Sequence, residues 1–485
     1  MARNPFDIIR ERRAARRQPA WARRQASARA KPRKPGFLRT LVNDWWDRLL
    51  KAVYHGSLSA GDAEYAEHET GADYLWNTVG TALWGMVFPL LTIVATQLTG
   101  TEQAGMFSMA FVTGTLLMIA ASYGVRTYQV SDIDERASFS SYQVNRWLTA
   151  VLALIAGVVY CAARGYDPHM LTISMGVYIY KVIDGAADVY EGRLQQADKL
   201  YLAGISQSLR SGAVVVAFSL LTLLTRDLGI ASVAMALAAA ASLILVTVPL
   251  ALLETDKSRR PAVREVVDLL RRCLPLAAAL LLFNLIESMP KFVMEGALPY
   301  DNQLYFNALY FPAQGILLTV GFIYKPQLLR LAGIWANPRR RGRFDLVVVA
   351  MLAVVVAVTC VVEAFMGWAG IGLMSIMYGV DFERFRALAY LMVAAGGVTA
   401  AIDFLYAIIT VLRRQDEVMR LYLISFAASV AAPLVLVNLM GLTGAVASYL
   451  GVMCLLLGLL VVEYAHIRRR IDRERDPFAT RRAVR

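Results

Sequence analysis

Apolar stretches of helical length follow one another from residue 74 to residue 467, and a chain that keeps producing them has a bilayer as its solvent. We place twelve, over residues 74–98, 103–130, 142–163, 170–193, 201–224, 230–253, 269–292, 302–329, 344–367, 386–412, 421–440 and 443–467. Each supplies the ~20 residues needed to cross a hydrocarbon core. With 57% hydrophobic and 18% charged residues, the chain holds more nonpolar side chains than one soluble core can enclose. The expected fold class is an all-α polytopic membrane protein of about twelve transmembrane helices.

The formal net charge of +13 resides at the termini and between the spans, so it reads as topology and contact with membrane lipids, and no nucleic acid is expected as a partner. The connectors RTYQVSDIDERASFSSYQVNR, EGRLQQADK, ETDKSRRPAVREVVDLLRR, KPQLLRLAGIWANPRRRGR and LRRQDEVMR are basic or basic-flanked. The intervening ones, LTGTEQAG, ARGYDPHM, TRDLG, EGALPYDNQ and NLMGLTG, carry few or no positive residues. The positive-inside rule then puts the basic set and both termini in the cytoplasm, at the cell membrane, and requires an even number of spans. The connector over 254–268 divides the spans six and six. It leaves an N-terminal lobe over 73–253 and a C-terminal lobe over 269–467, related by a parallel repeat around a central cavity. Outside the lobes lie a disordered basic tail over 1–35, an amphipathic interfacial helix and linker over 36–72, and a basic tail over 468–485. In that segment Leu38, Leu41, Val42, Trp45, Leu49 and Val53 share a helical face, which suits a helix lying in the membrane interface or, alternatively, a soluble helix packed on the cytoplasmic side.

Covalent chemistry finds little support. Cys161, Cys273, Cys360 and Cys454 lie singly, and His55, His68, His169 and His466 are scattered. No zincin, nucleophile-elbow or phosphate-loop motif occurs, so no catalytic residue, metal or cofactor is expected.

Ionisable side chains inside spans are costly unless they face protein or water, so each is a functional candidate. In the fourth span Lys181, Asp184, Asp188 and Glu191 recur at spacings of three, four and three, within an arc of about 80° on a helix. Such a stripe suits a hydrated lumen. An internal ion pair of Lys181 with Asp184 or Asp188 is the structural alternative. The seventh span carries Asn284, Glu287 and Lys291 near Pro290. The eighth carries Asn307, Tyr310 and Gln314 around Pro312, and the first carries Trp76 and Asn77. Arg126 and Lys325 sit at span ends, where topology anchoring is the expected role; Glu363 and Asp403 are isolated acids.

Several of these residues also carry a resemblance. The runs YLWNTVGTALWG, EQAGMFSMAFVTGTLLMIAASYGVRTYQVSDIDERASFSSYQVNR, KVIDGAADVYEGRLQQADKLYLAGISQSLRSG, NLIESMPKFVME and YFPAQGILLTVGFIYKPQL resemble, in order and spacing, the Wzx-type polysaccharide flippases. These belong to the superfamily of multidrug, oligosaccharidyl-lipid and polysaccharide exporters. The resemblance covers roughly residues 74–467 and departs at the basic extension before the first span. It implies a polyprenyl-diphosphate-linked oligosaccharide as cargo, turned across the membrane by alternating access, with glycan-assembly enzymes as candidate partners. It also implies that Lys181, Asp184, Asp188, Glu191, Gln195 and Lys291 match polar family positions.

The two lines of reading meet in one expected site. Lys181 and Lys291 neutralise the diphosphate as compact charges on opposite lobes, while Asn77, Asn284, Asn307 and Gln314 bond sugar hydroxyls. Asp184, Asp188, Glu191, Glu287 and Asp403 are expected as ion-coupling or lumen groups. Two rivals stand beside this. One is a cation-coupled drug or metabolite antiporter of the same superfamily. The other, a membrane-embedded polysaccharide polymerase or ligase, is disfavoured because the longest outer connector, over 367–384, is short and mostly apolar.

Overall fold

The computed structural model describes residues 65–132, 135–325, 341–412 and 418–473, with Leu328, Leu331 and Trp335. The expected tail over 1–35 and residues 36–64 of the interfacial helix and linker lie outside these residues, as does most of the tail over 468–485; residues 65–72, expected as linker, are helix. The described residues form helices α1 (Tyr65–Thr99), α2 (Thr101–Ser122), α3 (Val125–Ser131), α4 (Phe139–Arg164), α5 (Pro168–Gln196), α6 (Leu200–Thr225) and α7 (Leu228–Leu253). After the connector come α8 (Val263–Ala297), α9 (Asp301–Tyr324), α10 (Arg341–Phe365), α11 (Arg386–Val411), α12 (Val418–Met440) and α13 (Leu442–Arg473).

Ten of the described helical spans are long and apolar enough to cross a membrane. The two long helices outside that set are α5 and α8, with 29 and 35 residues. At ~1.5 Å per residue both exceed a ~30 Å hydrocarbon core, so charge and not length sets them apart. These are the helices that carry Lys181 to Glu191 and Glu287 to Lys291. With α3 continuing α2, the expected twelve spans are all present as helices, and the chain is a multi-pass membrane protein.

The helix ends follow from local chemistry. Ser138 caps α4 by accepting the Ser141 amide, and Asp167 caps α5 by accepting the His169 and Met170 amides just ahead of Pro168. The second span bends at Tyr123 and Gly124, both with positive φ, which separates α2 from α3. The ninth span departs from expectation: α10 does not stop near residue 367 but continues through a π turn, Met366–Gly370, into Ile371–Tyr378. Much of the supposed outer connector over 367–384 is therefore helix. Likewise α8 starts at Val263, inside the expected connector over 254–268.

Within the N-terminal lobe α5 is central, packed on α2, α4, α6 and α7; within the C-terminal lobe α8 packs on α12 and α13, and α11 on α9, α10 and α13. The lobes meet where α2 touches α8 and α9, and where α4 touches α8. At the start of α2 the missing side chain of Gly105 matters, because a Cβ there would run into the backbone of Tyr300 and Asp301 ahead of α9. Farther in, Phe88 of α1 stacks on Phe111 at 4.2 Å and meets Phe311 of α9 edge-on at 5.4 Å.

Candidate functional site

Helical spacing puts Lys181, Asp184, Asp188 and Glu191 on one face of α5, and neighbouring helices supply what that face meets. Arg210 of α6 donates from Nε to Asp184 at 2.9 Å, and its Nη1 lies 2.8 Å from Glu191 Oε1 as a charge contact. Asp188 is held between Arg126 and Arg146, each at 2.8 Å. Arg126 also reaches Glu191 at 3.9 Å and donates to Gln195 Oε1 at 3.2 and 3.0 Å. The Trp84 indole donates to the second Asp184 oxygen. Three carboxylates thus meet three guanidiniums, a balanced cluster that cross-links α1, α3, α4, α5 and α6.

This arrangement corrects two expectations. The internal pair is not Lys181 with Asp184 or Asp188, because the planar arginine forks engage two acceptors at once and take both acids. Arg126 is not a bare topology anchor but a partner of Asp188. Sequence reasoning passed over Arg146 and Arg210, which are fully or almost fully buried. The signal was there for Arg210: an arginine in the middle of LAGISQSLRSGAVV falls under the same cost rule that singled out Lys181.

Lys181 is 3% exposed, and among the described residues it forms no ion pair. Its Nζ sits instead 4.2 Å from the Phe111 ring centre and 5.1 Å from those of Trp84 and Tyr180. The C-terminal lobe repeats this chemistry. Lys291 is also buried and forms no ion pair among the described residues; its Nζ lies 4.9 Å from the Tyr310 ring centre and 5.7 Å from that of Phe306. Each ammonium is stabilised by aromatic faces and not by an ion pair among the described residues. Near Lys291, Glu287 accepts from Tyr310 at 3.2 Å. Gln303 donates to the Lys291 carbonyl at 2.6 Å and Asn307 to the Gln303 carbonyl at 2.8 Å. The side-chain oxygens of Gln303 and Asn307 are buried without a hydrogen-bond partner among the described residues.

A cavity of about 380 Å³ opens between the lobes, lined by Trp84, Arg126, Arg210 and the three α5 acids, with Leu280 and Asn284 of α8 opposite. It brings together Asp184, Asp188, Glu191 and Asn284. It does not gather the other expected residues. Lys181 and Lys291 lie in their aromatic boxes, and Asn307 is buried beside Gln303. Asp403 accepts from Tyr324 at 2.5 Å, Gln314 is half-buried on α9, and the Asn77 backbone packs where Gly204 of α6 lacks a side chain. A second, mainly apolar groove of about 810 Å³ runs between α2, α4, α8 and α12, with Tyr160, Arg164 and Asn438 at one end.

Neither a protein-family model nor a curated protein matches the chain. Solved structures do. An inward-facing multidrug-resistance transporter of the MATE family of the MOP superfamily aligns with a TM-score of 0.59 at 13% identity, over 82% of this chain and 98% of its own. A eukaryotic MATE transporter aligns with a TM-score of 0.51 at 14% identity, over 83% and 99%. At these identities the likeness establishes the fold: twelve helices in two six-helix lobes.

Proposed function

We propose that the chain is a membrane transporter that turns an anionic, lipid-linked cargo of the polyprenyl-diphosphate oligosaccharide class across the cell membrane by alternating access between its lobes. The observation that carries this reading is the charge balance of the polar interior. The three α5 acids are already neutralised by Arg126, Arg146 and Arg210, so they offer no free carboxylate to a cationic drug. Lys181 and Lys291, one in each lobe, form no ion pair among the described residues and sit against aromatic rings, with Glu287 one helical turn from Lys291. A diphosphate fits two ammoniums that no carboxylate bridges among the described residues, and the guanidiniums and Asn284 at the cavity wall offer donors to phosphate and sugar oxygens. The lipid tail remains in the bilayer beside the seam between the lobes.

A second reading, the cation-coupled drug or metabolite antiporter, is favoured by the fold shared with multidrug transporters. Its coupling group would be Glu287, a half-buried acid outside the arginine cluster, with Asp403 next. Deleting the gene separates the two readings: loss of surface glycan with unchanged drug susceptibility supports the flippase, and drug hypersensitivity with intact glycan supports the antiporter. Glycan-assembly enzymes are the natural partners of the first and have no place in the second.

A further inference from the structure

Both ends of α8 are tied to both ends of α4, and these ties cross between the lobes. Glu295, in the last turn of α8, has a side chain only 2% exposed. It accepts from Tyr160 at 2.6 Å, from Arg164 Nε at 3.0 Å and Nη2, and from Tyr166, all at or just beyond the end of α4. Arg164 also donates to the Phe292 carbonyl at 3.1 Å. Glu265, in the first turn of α8, accepts from the Ser138 amide at 2.9 Å and hydroxyl at 3.0 Å, and from the Ser141 hydroxyl at 2.7 Å, at the start of α4. Between the two ties the seam holds the apolar groove toward Glu295 and the polar cavity toward Glu265, where the Tyr128 hydroxyl also donates to the Arg272 carbonyl at 2.9 Å.

We propose that these are the two gates of the transporter: the Glu295 clasp holds the lobes shut on its side of the membrane, and the Glu265 clasp holds them shut on the other, so that one must release for each half of the cycle. The proposal rests on the alternating-access reading but not on the identity of the cargo. The clasps are unequal. Glu295 is buried and receives a charge-assisted bond from a guanidinium, whereas Glu265 is half-exposed and receives neutral donors. The close approach of Gly105 to Tyr300, and the bonds from Gln97 to the Ile376 and Met377 carbonyls at 3.3 and 2.9 Å, reinforce the Glu295 side. The 380 Å³ cavity, lined by Gly124, Arg126 and Thr127, lies toward the Glu265 end. The resting state is therefore closed at Glu295 and readier to open at Glu265.

The test uses the full chain in oriented proteoliposomes, with its natural cysteines replaced and a reporter cysteine at the cavity wall (Asn284→Cys). A membrane-impermeant maleimide is supplied from one side at a time. Without further change, labelling is expected to be faster from the Glu265 side. Glu295→Gln should raise labelling from the Glu295 side about tenfold and lower it from the other, in line with losing a charged hydrogen bond. Glu265→Gln should shift it the opposite way by a smaller factor. Should Glu295→Gln not fold, Tyr160→Phe with Tyr166→Phe removes two donors while keeping the ion pair, and should move labelling in the same direction. Unchanged labelling, or shifts in one common direction for both glutamates, overturns the gate assignment. Because labelling needs no cargo, a wrong cargo shows up separately, as intact gating without glycan export.

Discussion

Replacing Arg210 is the most discriminating test of the buried cluster. Its guanidinium is 2% exposed and is the nearest cation to both Asp184, at 2.9 Å, and Glu191, at 2.8 Å, whose side chains are 3% and 5% exposed. Arg210→Met removes the charge but keeps much of the packing volume. Among the described residues Asp184 then keeps the Trp84 indole as its bonded partner, and Glu191 keeps Arg126 at 3.9 Å. Breaking a buried pair by removing one partner costs about 3–5 kcal/mol, because a desolvated charge is left uncompensated. That corresponds to roughly two to four decades in the folding equilibrium. Thermal unfolding of the purified protein in detergent micelles should show a clear loss of melting temperature and of membrane abundance. Neutralising the orphaned acids as well (Asp184→Asn with Glu191→Gln) should recover much of it. Lys181→Gln supplies the contrast, since no carboxylate lies within ion-pair distance of Lys181 among the described residues, and its cost should stay near the ~2 kcal/mol of a desolvated cation–aromatic contact. A stable Arg210→Met protein beside a collapsed Lys181→Gln protein would refute the assignment of Arg210 to structure and Lys181 to cargo.

Three further outcomes are expected. Gly105→Val should prevent full closure on the Glu295 side, at a cost of about 1–3 kcal/mol for the forced separation from Tyr300, and should be read as faster maleimide labelling from that side. The Ser138 amide above all, with the Ser141 and Ser138 hydroxyls, holds the Glu265 carboxyl below the ordinary glutamate range. That clasp is therefore intact at neutral pH and is lost only as pH falls through the lowered value, so the ratio of labelling from the Glu265 side to labelling from the Glu295 side, in which the thiol's own pH dependence cancels, should stay flat through mildly acidic pH and rise only below the ordinary glutamate range. Reporter fusions after Arg260 should behave as cytoplasmic, and fusions after Arg164 or Gly441 as external; the reverse pattern would invert the membrane orientation.

Most of the fold was legible because hydropathy reports a solvent, and a bilayer demands the same answer from every span. Even α5 and α8, too charged to register as apolar, could be read as spans. Their charges recur at three and four residues, so the polar stripe itself has the helical period. What escaped was anything set by partners distant in sequence. The stripe on α5 told of a polar face but not that Arg126, Arg146 and Arg210 from three other helices would fill it. Glu295 lies where a span meets a loop, and acids there are ordinarily solvated; only the arrival of Tyr160, Arg164 and Tyr166 from the other lobe buries it. The continuation of α10 to Tyr378 was hidden because the Gly-rich run MGWAGIG reads as a helix end, whereas a π turn accommodates it. Conversely, the expected sugar-binding set was drawn from polar side chains within spans, and Asn284 alone of that set lines the cavity.

The central claim is that the ammoniums of Lys181 and Lys291, held by aromatic rings and not by carboxylates, serve an anionic headgroup. The direct measurement is translocation of a polyprenyl-diphosphate-linked oligosaccharide in proteoliposomes, followed by exposure of its sugars to a membrane-impermeant modifying enzyme. The natural protein should translocate it, Lys181→Arg and Lys291→Arg should do so in part, and Lys181→Gln and Lys291→Gln should lose most of the rate at normal protein levels. Undiminished translocation with glutamine at both positions, or a natural protein that leaves this lipid in place while moving a cationic dye against a proton or sodium gradient, would contradict the claim.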